Sequence, residues 1–192
     1  MKKRVFIIHG WDGYPEEGWF PWLKLELESC GFEVQVPAMP ETAAPKIEVW
    51  VPHLAKLVGE PDEQTYFIGH SIGCQTILRY LENLSVGKKI GGVVLVAGWF
   101  VLSDLETEEE KIIGKPWIET PIDFMKIKSA SDNFVLILSA DDPVVPYEEN
   151  KKLFEEKLST SIIVEYARGH FSGSDGVTEL PSALEAILEM AN

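Results

Sequence analysis

The sequence predicts an α/β protein in which helices cover both faces of a doubly wound, mostly parallel sheet of about six strands. Short, strongly apolar runs alternate with stretches of helical periodicity from one end of the chain to the other. Apolar runs of this kind are typical of parallel strands that are buried on both faces. The chain has 192 residues, of which 45% are hydrophobic, and this suits a single domain spanning residues 1–192.

The predicted strands are short runs rich in β-branched and aromatic residues, and several are bounded by glycine or proline. They occupy residues 4–9, 32–36, 65–69, 90–97, 134–139 and 162–166. Gly10 follows the first run, and Pro37 stops the second because proline cannot donate to a sheet ladder. The fourth run is strongly apolar, as a buried strand should be.

The predicted helices are stretches in which apolar residues recur on one side at helical spacing. They occupy residues 19–29, 46–58, 71–84, 147–158 and 181–191. Trp19 and Trp22 lie on one side of the first helix, and Gly31 follows its end as a C-terminal glycine commonly does. Pro52 lies in the early part of the second helix and does not remove the helical pattern.

Residues 99–131 are the one long segment without a clear period. The segment begins with acidic residues and then holds Pro116 and Pro121, so we expect helix only around residues 122–127. Long irregular segments are unusual in compact domains and are often functional. Two interpretations stay open, namely a surface excursion and a small cover over a functional site.

The composition excludes several classes of partner. The net charge is −14, which disfavours binding to nucleic acids and to anionic membranes. The 4 histidines share no metal-ligand spacing and no glycine-rich phosphate loop is present, so we expect neither a metal nor a cofactor.

With 2 cysteines, no visible secretory signal and no apolar stretch of membrane-spanning length, the cytoplasm is the default compartment.

The pentapeptide G-H-S-I-G at residues 69–73 is the most informative motif. It follows a predicted strand and precedes a predicted helix, which is the context of a G-x-S-x-G nucleophile elbow. The tight turn would hold Ser71 in a strained backbone conformation, and the two glycines would let neighbouring backbones approach closely. We therefore expect Ser71 to be a nucleophile.

Two later strands end in residues that could activate a serine. Asp141 and Asp142 follow the fifth strand, and His170 follows the sixth. Serine, aspartate and histidine then occur in the chain order of α/β-hydrolases, with His170 as general base and an aspartate orienting it. Asp142 is favoured over Asp141 because Pro143 restricts it to extended geometry, although Asp141 stays an alternative.

An oxyanion hole needs two backbone donors beside the nucleophile. One is expected to be the N–H of Ile72, which follows Ser71. The other should come from the loop after the first strand, where Gly10 permits a tight turn and the Trp11 N–H is the candidate. The first and third strands should be neighbours, which would place both donors at one crevice.

Further short motifs accompany the elbow over nearly the whole chain: His9-Gly10, Gly18-Trp19, Met39-Pro40, Trp50 with Pro52, Arg79-Tyr80, Asp141-Asp142-Pro143 and Gly169-His170-Phe171. With these motifs the chain resembles the small serine hydrolases related to retinoblastoma-binding protein nine and to the bacterial YdeN-type proteins. The resemblance implies a three-layer α/β-hydrolase that lacks the usual first two strands and a large lid. It also implies a triad of Ser71, Asp142 and His170.

The expected function is hydrolysis of small carboxylic esters, or of related thioesters and amides, through an acyl-enzyme and without a cofactor. The expected partner is a small ester-like molecule, because no extended binding domain is visible. A different class of function is a catalytically silent fold that binds a ligand or a protein. The presence of Ser71, Asp142 and His170 together argues against that alternative.

Overall fold

The structure is a computed structural model that describes residues 2–103, 105 and 107–192. The described residues form the strands β1 (Arg4–Ile8), β2 (Glu33–Gln35), β3 (Thr65–His70), β4 (Gly92–Val96), β5 (Phe134–Ser139) and β6 (Ser161–Glu165). They also form the helices α1 (Phe20–Ser29), α2 (Ile47–Val58), α3 (Ile72–Glu82), α4 (Glu108–Glu119), α5 (Phe124–Ala130), α6 (Tyr147–Leu158) and α7 (Pro181–Met190). No helix in this described part is both long and apolar enough to cross a membrane.

All six strands pair in parallel, in the order β2-β1-β3-β4-β5-β6. The predicted doubly wound α/β architecture is thereby confirmed, and the sheet is entirely rather than mostly parallel. Parallel pairing places the carboxyl ends of all strands at one edge, where ligands bind in open α/β sheets. β1 and β3 are neighbours, as predicted, with Ile8 opposite Gly69.

Two hydrophobic cores lie on the two faces of the sheet. Helices α1 and α7 cover one face, where Trp19 and Leu23 are completely buried. Helices α2, α3, α5 and α6 cover the other face, where Trp50 and Leu54 are completely buried. Apolar burial of this kind stabilises by about 25 cal/mol for each Å² removed from water. The sheet that carries the strand ends is therefore held rigidly from both sides.

Residues 99–131 are more helical than the sequence analysis predicted. Helix α5 corresponds to the expected helix, but α4 was not predicted because Pro116 and an acidic start obscured its period. A capping box begins α4, in which the Glu110 N–H donates to Thr107 Oγ1 and the Thr107 N–H donates to Glu110 Oε2. The spacing Thr107-x-x-Glu110 is the sequence signature of such a capping box, and it could have predicted the start of α4. Asp104 and Glu106, in the acidic start, lie outside the described residues.

Arg79 on α3 attaches the end of α4 to the core. Its side chain is 2% exposed, and Nη2 donates to the carbonyl oxygens of Trp117 and Thr120, each at 2.9 Å. These carbonyls belong to the last turn of α4, where a helix has unpaired acceptors and favours a cation. Arg79 on α3 therefore fixes the position of the end of α4, although the two helices are far apart in the sequence.

We expect Arg79→Met to lower the free energy of unfolding by about 2 kcal/mol, because one buried and one partly buried carbonyl lose a charged donor. Urea denaturation measures this change. Lys115→Met on α4 is the matched control, since Lys115 is exposed and its ion pair with Glu119 spans 3.9 Å. That control should change stability by less than about 0.5 kcal/mol. Equal effects of the two substitutions would contradict the attachment of α4 by Arg79.

Candidate active site

Ser71 alone makes the turn between β3 and α3. Its backbone has φ 53° and ψ −119°, a conformation that is strained for any residue other than glycine. A Cβ on Gly69 would lie 2.7 Å from the Cys74 nitrogen, and one on Gly73 would lie 2.7 Å from the His9 oxygen. Both positions thus require glycine. The Ser71 hydroxyl makes no hydrogen bond to any described residue, the His170 ring included.

Asp142 and His170 form a hydrogen-bonded pair at the ends of β5 and β6. His170 Nδ1 donates to Asp142 Oδ2 at 2.8 Å. The other carboxylate oxygen of Asp142 accepts from the N–H groups of Val144 and Val145, at 2.8 and 3.0 Å. The Asp142 side chain is 1% exposed, against 18% for His170. A fully bonded, shielded carboxylate therefore fixes the orientation and tautomer of a partly exposed imidazole.

Asp141 has a different set of contacts and does not reach the His170 ring. Its Oδ1 accepts from Ser139 Oγ at 2.5 Å and from the Arg168 N–H at 3.2 Å. The hydrogen bond from Ser139 is the main cause of a lowered pKa for this exposed carboxyl. Asp141 thus joins the end of β5 to the loop before His170. Of the two aspartates weighed from the sequence, the one in contact with His170 is Asp142.

Three further contacts hold the backbone of His170 and of the residue after it, and sequence reasoning did not assign them. Asp175 Oδ2 accepts from the His170 N–H at 2.9 Å. His70 Nε2 donates to the His170 carbonyl at 2.7 Å. Trp19 Nε1 donates to the carbonyl of the next residue, Phe171, at 3.0 Å. The loop after β6 is therefore tied to α1, to the elbow and to itself, which restricts the position of the imidazole.

His70 acts as a neutral donor within this arrangement. Burial lowers the pKa of His70 to about 3, and the neighbouring His170 acts in the same direction. Because Nε2 carries the proton given to the His170 carbonyl, Nδ1 is the unprotonated nitrogen, and it is buried without a partner among the described residues. His70 is therefore uncharged near neutral pH.

A cavity of about 200 Å³ contains both Ser71 and His170 in its lining. The predicted oxyanion residues Trp11 and Ile72 line it as well. Neither of their backbone N–H groups donates a hydrogen bond within the described part of the chain. A methyl group on Gly10 would lie 3.5 Å from Ser71 Cβ, so the loop after β1 passes directly beside the serine. Four of the five predicted site residues thus share one cavity, and Asp142 contacts it through His170.

A second cavity of about 450 Å³ adjoins the first and shares Trp11 and Leu105 with it. The acidic side chains of the two linings are Asp12, Glu17, Glu109 and Glu110. No lysine or arginine is among the described residues that line either cavity. The described residues also include no group of three or more His, Cys, Asp or Glu side chains that could hold a metal ion.

We expect acid to destabilise the wild type more than His70→Gln, in which an amide can still donate to the His170 carbonyl. The unfolded His70 takes up a proton below its ordinary value of 6.5, whereas the folded one does so only near 3. The contribution of the neutral His70 to the free energy of unfolding is therefore complete above pH 6.5. It decreases as the pH falls from there towards 3. Between about pH 7 and about pH 4.5 the wild type should lose roughly 2–3 kcal/mol more than the variant.

Urea denaturation of both proteins at the two pH values measures this difference. The comparison between the proteins removes the contributions of the carboxyl groups, since these titrate in both. An equal loss of stability in the two proteins would mean that His70 is not held neutral by the fold.

Comparison with known proteins places this site in a family. A family model described as "Serine hydrolase" matches residues 5–189. The protein YdeN of Bacillus subtilis (strain 168) is 34% identical over 188 residues, covering 97% of this chain and 95% of its own length. The serine hydrolase RBBP9 of Rattus norvegicus is 28% identical over 159 residues, covering 82% and 80%.

The fold is shared with solved structures. The crystal structure of the ydeN gene product from B. subtilis matches with a TM-score of 0.88 at 30% identity, covering 98% of both chains. A crystal structure of an alpha/beta superfamily protein from Xanthomonas campestris pv. campestris matches with a TM-score of 0.68 at 13% identity, again over 98% of both chains, and shows the fold alone. The architecture is that of the α/β hydrolases, and the chain belongs to the serine hydrolase family that also includes YdeN and RBBP9.

Proposed function

We propose that this member of the family hydrolyses small carboxylic esters, or related thioesters and amides, with Ser71, His170 and Asp142 as a catalytic triad. The observation that carries the proposal is the 2.8 Å hydrogen bond from His170 Nδ1 to the shielded Asp142, beside a cavity that also contains the strained Ser71. A serine hydroxyl is a weak nucleophile until a base of this kind removes its proton.

In the proposed reaction, His170 Nε2 takes the proton from Ser71 Oγ as the oxygen attacks the ester carbonyl. A tetrahedral intermediate forms and collapses when His170 returns the proton to the leaving alcohol, which leaves an acyl-serine. Water then attacks the acyl group with His170 again as the base. The bond to Ser71 Oγ breaks as His170 returns the proton to that oxygen, and the acid is released. Asp142 stays ionised throughout and stabilises the imidazolium that forms in each step.

The intermediate carries a negative oxygen that needs donors already in place. The N–H groups of Ile72 and Trp11 suit this role because both residues line the cavity and neither N–H has an acceptor in the described chain. Ile72 is also the first residue of α3, so the positive end of the helix dipole adds to the stabilisation. The neutral His70 supports the same arrangement by holding the His170 backbone.

The size of the cavity supports a small substrate. About 200 Å³ is below the range typical of sites for drug-sized ligands. The proposal therefore includes short acyl chains and a leaving group that extends towards the second cavity, past Trp11 and Leu105. A cytoplasmic location and a small-molecule partner remain part of this proposal, as the sequence predicts.

Ser71→Ala should abolish labelling by a fluorophosphonate probe and should reduce hydrolysis of p-nitrophenyl acetate by at least about 10³-fold. The fold should persist, since alanine removes only the hydroxyl. Ser172→Ala is the matched control, because Ser172 lines the same cavity and should leave the labelling in place. A folded wild type that neither labels nor hydrolyses the ester would favour the alternative of a silent binding protein.

Asp142→Asn should lower kcat by roughly 10³–10⁴-fold, because an amide cannot stabilise the imidazolium and favours the wrong tautomer. Asp141→Asn should change kcat by less than about tenfold, since Asp141 contacts the loop before His170 and not the ring. Steady-state kinetics with p-nitrophenyl acetate distinguish the two variants. A larger loss in Asp141→Asn than in Asp142→Asn would reverse the assignment of the third triad residue.

A further inference from the structure

Trp99 presents a polar group that the proposed mechanism does not use. It follows β4 at the same sheet edge as Ser71 and lines the cavity that contains Ser71 and His170. The residue is 2% exposed, and its indole Nε1–H has no acceptor among the described residues. Buried indole N–H groups usually find a hydrogen-bond partner, so this one is an exception that needs an explanation.

The position of Trp99 is fixed by the protein. Its carbonyl accepts a 2.6 Å hydrogen bond from Gln75 Nε2 on α3, the helix that begins at the nucleophile. The fully buried indole of Trp117 is satisfied, since it donates to Pro45 at 2.9 Å, and the indole of Trp11 donates to Ala43 at 3.0 Å. Trp99 thus combines a place in the lining of the proposed catalytic cavity with a buried indole N–H that has no acceptor among the described residues.

The chemistry of the cavity limits which acceptor could meet this donor. An indole N–H can only donate, so its partner must be an oxygen or another acceptor on the substrate. A carboxylate is disfavoured, because Glu17 lines the same cavity and no described lysine or arginine does. An uncharged oxygen, as in an ether, hydroxyl or ketone, can accept the hydrogen bond and brings no negative charge into the cavity.

We propose that the Trp99 indole N–H is a substrate-binding donor and that the enzyme favours esters whose short acyl chain carries an uncharged oxygen. This inference rests on the proposed function, since it assigns the substrate class of the same site. Binding of the acyl oxygen would satisfy a donor that otherwise remains unpaired in the wall. A plain hydrocarbon chain of the same length would leave it unpaired, and sites built to bind a polar group discriminate in this way.

The test compares ester pairs that differ only by an oxygen in place of a methylene. One pair is p-nitrophenyl methoxyacetate and butyrate, and the other is p-nitrophenyl 3-methoxypropanoate and pentanoate. For each pair, the ratio of kcat/KM for the oxygen-containing ester to that for its hydrocarbon partner is measured in the wild type and in Trp99→Phe. Dividing the two ratios removes the intrinsic reactivity of the esters.

In at least one pair the ratio should fall about 3- to 10-fold in Trp99→Phe, as expected for one lost hydrogen bond. The control is Leu102→Ala, since Leu102 lines the same cavity but has no polar group. That control should change both esters of a pair alike. Unchanged ratios for both pairs in Trp99→Phe would overturn the inference, even if both rates fall, because the residue would then serve only to shape the cavity.

A second readout does not depend on turnover. In ¹⁵N-labelled Ser71→Ala, the Trp99 indole resonance is identified by its loss when Trp99→Phe is added. Methoxyacetone and 4-methoxybutan-2-one, the methyl ketones of the oxygen-containing chains, are titrated against 2-pentanone and 2-hexanone. The resonance should shift with an oxygen-containing ketone and not with its hydrocarbon partner, whereas equal shifts would overturn the inference. A wild type inactive towards all four esters would contradict the proposed function instead, and the titration would then decide the role of Trp99 alone.

Discussion

The step from β3 into α3 is completed by one residue with a positive φ, and this close approach of strand and helix determines the rest of the site. Gly69 and Gly73 admit no side chain, because a Cβ on either would collide with the Cys74 nitrogen or the His9 oxygen. The tight passage leaves the Ser71 hydroxyl unbonded and the Ile72 N–H without an acceptor. The proposed nucleophile and the proposed oxyanion donor thus result from one backbone constraint.

The opposite wall of the site is held by hydrogen bonds rather than by steric exclusion. His170 is fixed at its ring by Asp142, at its N–H by Asp175 and at its carbonyl by His70. The loop that carries it follows the edge strand β6, which has a neighbour on one side only. Several independent hydrogen bonds therefore fix the position of His170, which the edge strand alone would hold less firmly. The proposed proton transfer requires such precise placement.

The sequence was sufficient to predict those features that depend on residues close together along the chain. Buried apolar runs identified the six strands, and the residues after β3, β5 and β6 identified Ser71, Asp142 and His170 as candidates. Helix α4 was not predicted because its hydrophobic periodicity is weak, although its capping box is visible in the sequence. The contact of His70 with His170 could not be predicted, since 100 positions separate the two residues and either ring could have met other partners.

The three residues proposed to act together follow three strands, and β4 lies between two of those strands in the sheet. Within the described part of the chain, each βαβ unit contains only part of the proposed site. During refolding, the hydroxyl, the imidazole and the carboxylate can meet only after β3, β4, β5 and β6 have all paired. Return of catalytic activity would therefore report completion of this long-range assembly, and it would lag behind any local formation of helices.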